Sequence, residues 1–153
     1  MKKLPPLEKV YEAYSVLADE RFDLAPDRLT VRSSDGTKEY TVTWDDAGHY
    51  RSNDRATYWQ GYAGYPVIAA LLLQGRLPLD EEVAAGFAGI PWKALNDACK
   101  RDYAAAASEA FRIAGFDMGQ VLRAEEAADE VMAALGALDI TVGRLATPVR
   151  TLS

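Results

Sequence analysis

Apolar positions along this chain change their spacing twice, and the changes divide it into three regions. From Pro5 to Glu20, Leu7, Val10, Tyr11, Tyr14 and Leu17 recur three and four apart, the spacing of one helix face. Pro5 and Pro6 suit a first helical turn, where the N–H that proline lacks has no partner within the helix. After a loop from Arg21 to Asp27 the spacing falls to two. Leu29 and Val31 alternate with Thr30 and Arg32, and Tyr40, Val42 and Trp44 alternate with Thr41 and Thr43. Asp35-Gly36 between them is a strong hairpin signal. A second turn, Asp45 to Gly48, leads to a short third strand, His49 to Ser52.

Helical composition then returns for the rest of the chain. Asn53 or Asp54 is placed to cap a helix over Ala56 to Gln74, with a break where Gly61, Gly64 and Pro66 interrupt it. Every residue from Val67 to Leu73 is apolar. A helix apolar on all sides is buried, so this segment is expected at the centre of the fold. A short helix starts at Asp80, with Glu81 and Glu82 favoured at its positive end. One long helix is expected from Pro91 to about Ala114, with Trp92, Leu95, Cys99, Tyr103, Ala106, Ala110 and Ile113 as its stripe. Asp117 and Gln120 have the spacing of a capping box for a last helix reaching about Leu135. Leu138, Ile140 and Val142 alternate and either add a strand or pack as a tail. The expected class is α+β: an N-terminal helix, a three-stranded antiparallel meander, then four to five helices in one layer or a small bundle. Residues 1–145 are expected as a single domain and 146–153 as a flexible tail.

Composition narrows the chemistry. The chain has 153 residues, a formal net charge of −6, one His and one Cys. A lone Cys cannot form an intramolecular disulfide, and nothing points to an oxidising compartment. Structural zinc needs four ligands, mostly Cys and His, so no metal or other cofactor is expected. Glu8, Lys9 and Glu12 stand where a secretory leader would carry its apolar stretch, and Ala63 to Leu73 is about half the length of a membrane span. The expectation is a cytoplasmic protein without membrane contact. Each third of the chain is net acidic, which argues against affinity drawn from phosphate contacts. Gly61 and Gly64 have the spacing of a nucleic-acid-clamping G-x-x-G loop, but Tyr62 and Ala63 between them offer no cation. No nucleic-acid partner is expected.

The densest chemical stretch runs from Trp44 to Pro66. It holds four of the eight tyrosines, two of the three tryptophans and the only histidine. Rings with polar tips suit ligand sites and interfaces, and they serve equally to pack a sheet on a helix. The candidate ligand residues are Trp44, Asp46, His49, Arg51, Tyr58, Trp59 and Tyr62. His49 is the one side chain suited to proton transfer near neutral pH, with Asp45 and Asp46 close enough in sequence to orient it. Glu125, Glu126, Asp129 and Glu130 form an acidic helix face without a partner motif, and a solvated face is expected. The expected function is a non-catalytic interaction or assembly module, self-associating or bound to a protein partner. The alternative is a small-molecule site, catalytic or not, around His49.

Overall fold

The computed structural model describes residues 3–152, and the fold is α+β. Helix α1 (Glu8–Ala18) begins after the two prolines, with Val10 N–H donating to the Leu7 carbonyl. Strands β1 (Phe22–Leu24), β2 (Arg28–Arg32), β3 (Lys38–Trp44) and β4 (His49–Ser52) form an antiparallel meander, one strand longer than expected. The additional strand, β1, lies in the segment read as a loop. Its Phe22 and Leu24 pair with Val31 and Leu29, so even three residues continue the alternation of the sheet.

A single turn of π-helix, π1 (Ala56–Gln60), follows. Helix α2 (Tyr65–Leu73) starts beyond the expected break, with Pro66 in its first turn. It is followed by α3 (Glu81–Ala85), α4 (Trp92–Ala98), α5 (Tyr103–Ala114) and α6 (Met118–Ala137). The long helix expected from Pro91 is therefore two. Lys100 and Arg101 sit at φ 53° and 65°, in left-handed conformations that end α4. The Asp102 carboxylate then accepts from Ala105 N–H at 3.1 Å and starts α5 afresh. The apolar stripe runs on across the break, so periodicity alone could not reveal it. The capping box at Asp117 and Gln120 forms as its spacing predicts.

Strand β5 (Thr141–Arg144) returns parallel to β4, and β6 (Arg150–Thr151) pairs with the start of β3. The sheet order is β1-β2-β3-β4-β5, with β6 on β3. Within the segment 146–153, expected as a flexible tail, residues 150 and 151 form β6. The chain leaves the sheet after Ser52, which exposes the first half of β3, and β6 occupies that edge. Asn53 fastens the crossing, accepting from Thr41 N–H at 2.8 Å and donating to the Thr147 carbonyl at 2.9 Å.

The core lies on one face of the sheet. Leu29, Val31, Val42 and Tyr50 point inward, and α2 packs on β2, β3 and β4. Pro66 to Leu72 are all buried, as their uninterrupted apolarity predicts. Helix α1 is just as central: it packs against α2, α3, α5 and α6, and residues 9 to 16 are all buried. Its polar Lys9, Glu12 and Ser15 are thereby taken inside. Ser15 donates to the Phe87 carbonyl at 2.7 Å and accepts from the Trp92 indole N–H at 2.7 Å. No helix among the described residues is long and apolar enough to cross a membrane.

Candidate functional site

Strand geometry separates the residues that the sequence clusters. Successive side chains point to opposite faces of a sheet. Trp44 and Tyr50 are opposite one another on β3 and β4 and share the inner face, with ring centroids 6.1 Å apart. His49 and Arg51 flank Tyr50 in sequence and are exposed. His49 is held at Nδ1 by Asp45 Oδ2 at 2.8 Å, and its N–H donates to Asp45 Oδ1 at 3.0 Å. The backbone bond, then the ring bond, keep the Asp45 carboxyl below its ordinary value. Asp45, rather than Asp46, therefore orients the histidine, and Asp46 lies exposed in the turn. Tyr62 is turned into the protein toward α1. Burial pushes its phenol up, against the pull of Lys9, and Lys3 Nζ lies 5.5 Å from its ring centroid.

Tyr58 and Trp59 stay together because π1 is pinned from within. Ser52 donates to the buried Asp54 carboxylate, whose other oxygen accepts from Thr57 N–H at 3.1 Å. The Thr57 hydroxyl accepts from Gly64 N–H at 2.9 Å. These bonds hold both ends of the turn and leave its middle outermost. Trp59 is 67% exposed, and its ring meets that of Tyr58 edge-on at 4.9 Å. Arg144, from β5, donates to the Tyr58 carbonyl at 2.8 Å. Its guanidinium lies 4.9 Å from the Tyr58 ring centroid and 5.6 Å from that of Trp59, within the range of cation–π attraction.

A groove of about 310 Å³ runs beside this platform. Tyr58, Trp59, Leu145, Ala146, Pro148 and Val149 give it apolar walls, Arg55 supplies a charge, and its lining contains no carboxylate. Of the seven residues singled out in the sequence, Tyr58 and Trp59 line this groove and the other five do not. Arg144 and residues 145–149 escaped the sequence reading. Residues 146–149 belong to the segment read as a tail, and no local pattern marks Arg144 or Leu145.

The chain matches, over residues 2–141, the family described as uncharacterised conserved protein UCP014422. It belongs to that family. The matched region includes π1 and ends before Arg144, so the groove combines one wall from inside the matched region with one from beyond it. No curated protein and no solved structure matches the chain.

Proposed function

We propose that this member of the family is a non-catalytic interaction module whose groove beside Trp59 takes an apolar segment carrying carboxylates from a partner protein. The observation that carries the reading is the platform itself. A tryptophan two-thirds exposed and braced by Tyr58 and Arg144 presents a preformed ring surface beside an apolar groove, the kind of patch that marks an interaction site. Trp, Tyr and Arg are the residues that dominate binding energy at protein interfaces. Charge selects the partner: Arg55 in the groove and Arg144 beside it face no lining carboxylate, although the chain as a whole is acidic. The bracing adds affinity, since fewer rotamers are lost on binding.

A fluorescein-labelled peptide of alternating Leu and Glu is the first probe. Its anisotropy should rise with protein, fall with added salt, and lose about tenfold in affinity in Trp59→Ala, which is about 1.4 kcal/mol. An unchanged affinity in Trp59→Ala, or no binding by the wild type, would sink the reading. Sedimentation of the unliganded protein separates the occupants. A concentration-dependent mass abolished by Trp59→Ala would replace the foreign segment with a second copy of this chain.

A further inference from the structure

A second, more enclosed cavity of about 150 Å³ lies between α1, the β2–β3 hairpin, the start of α2 and α4. Its walls bring together groups that the sequence keeps far apart: Glu12, Arg21, Tyr40, Tyr65, Trp92 and Asn96. Glu12 is the unusual member. Its carboxylate is buried, yet each oxygen receives one donor, Lys9 Nζ at 3.2 Å on Oε2 and Asn96 Nδ2 at 3.1 Å on Oε1. An ionised carboxylate offers about four acceptor positions, so about half of its capacity is left for an occupant. Asn96 spends its N–H on Glu12 and keeps its carbonyl oxygen.

Positive charge and hydroxyl donors complete the lining. Arg21 commits Nη1 to the Arg32 carbonyl and Nε to Asp19. Among the described residues its Nη2 has no hydrogen-bond partner, and neither do the hydroxyls of Tyr40 and Tyr65. Those two rings meet edge-on at 6.3 Å, and burial raises both phenols, so both hydroxyls remain donors at neutral pH. Trp92 has given its N–H to Ser15 and presents only its ring.

We infer that this cavity binds a compact α-amino acid, with its ammonium on Glu12 and Asn96 and its carboxylate on Arg21 and a tyrosine hydroxyl. Lys93 also lines the cavity, but Asp97 holds its ammonium at 2.9 Å, so Glu12 and Arg21 present one charge of each sign to an occupant, the complement of a zwitterion. Size sets the upper limit, since a cavity of about 150 Å³ takes a ligand of about six heavy atoms, the size of alanine. This inference does not depend on the groove beside Trp59.

Titration calorimetry and thermal unfolding with L-alanine test it. Alanine at millimolar concentration should raise the melting temperature, as any ligand selective for the folded state does. Acetate, ethylamine, N-acetylalanine and alanine methyl ester should each bind at least about tenfold more weakly. Binding by acetate or ethylamine as strong as that by alanine would overturn the proposal, as would no shift with glycine, alanine or serine. Glu12→Gln should abolish alanine binding. If that variant does not fold, Tyr65→Phe keeps the ring and removes one donor. Wild-type alanine affinity in both a folded Tyr40→Phe and a folded Tyr65→Phe, or a folded Glu12→Gln that still binds, counts against the site. Trp59→Ala should bind alanine normally even if it loses the acidic peptide, and a loss of both would refute the independence of the two sites.

Discussion

The cavity at Glu12 and the platform at Trp59 use the same materials, aromatic rings beside a charged group, in opposite settings. At the platform, the guanidinium of Arg144 lies over the exposed ring of Trp59 and the half-buried ring of Tyr58, and at an exposed site such an attraction contributes about 0.5–1 kcal/mol. Beside the cavity, Lys9 and Glu12 are 8% and 5% exposed and are largely withdrawn from water. Burial pulls the Lys9 ammonium down, but Glu12 and the Tyr103 ring, 4.5 Å from Nζ, more than offset it and the net direction is up. Burial pushes Glu12 up, and Lys9 and Asn96 pull it only part of the way back. Buried ion pairs seldom gain stability over apolar replacements, because desolvation cancels much of the attraction. The platform can therefore be altered almost independently of the fold, whereas the cavity cannot.

The largest effect expected from that contrast is at Glu12. Glu12→Ala leaves the Lys9 ammonium buried without its carboxylate and should cost about 3–5 kcal/mol in urea denaturation. The double change Lys9→Met with Glu12→Leu should recover most of that loss. If the single variant were as stable as wild type, Lys9 would have to reach water, and the buried description of the pair would be wrong.

The joint between the two regions comes next. Gly64 lies between π1 and α2, and a Cβ there would stand 2.0 Å from the Asp54 carboxylate oxygen. Asp54 is fixed by Ser52 and Thr57 and has no room to retreat. Gly64→Ala should cost about 3 kcal/mol, the upper range for overpacking. Gly61 makes the control. Its surroundings are open, but its φ of 75° disfavours a side chain, so Gly61→Ala should cost about 1–2 kcal/mol for a different reason. Equal losses at both positions would mean that backbone strain, rather than the buried Asp54, governs the joint.

What the sequence revealed follows the same division. Local rules marked α1, the β2–β3–β4 meander, the all-apolar stretch in α2 and the capping box of α6, because periodicity and caps act within a few residues. They did not mark the start of α5, where Asp102 restarts a helix inside a continuous stripe, nor β6, whose place exists only because the chain leaves β3 uncovered. At the sites, clustering in sequence was a poor guide. His49, Tyr50 and Arg51 are neighbours in the chain, yet the pleat puts Tyr50 on the opposite face from the other two. Glu12, Tyr65 and Asn96 are far apart in the chain and meet only because α1 is enclosed by other helices. Glu12 falls outside the apolar spacing of α1, so no local pattern marks it as buried.

Trp59→Ala should change the stability of the free protein by no more than about 0.5 kcal/mol, as expected for a surface change away from packing. Its fluorescence should be quenched readily by iodide, whereas that of Trp92, 4% exposed, should resist. A loss above about 2 kcal/mol would show that the ring supports π1, contrary to its exposure.

An effect confined to acid pH concerns the turn that carries one wall of the cavity. Asp35 Oδ1 accepts from the hydroxyl and N–H of Thr37 at 2.7 and 3.0 Å and from the Ser33 hydroxyl at 2.8 Å. These bonds, the Thr37 hydroxyl first, hold its carboxyl down to about 2, against an ordinary 3.8. A depressed folded value means that the folded state gives up the proton more readily than the unfolded one. The contribution of Asp35 to stability is then complete above 3.8 and is lost as the pH falls through about 2. A carbon-detected NMR titration should place the Asp35 midpoint near 2, and Asp35→Asn should remove this part of the acid dependence while leaving Trp59 untouched. A midpoint near 3.8 would show the turn open in solution. Because Ser33 and Ser34 line the cavity beside Tyr40, an open turn would also loosen the wall that faces Glu12.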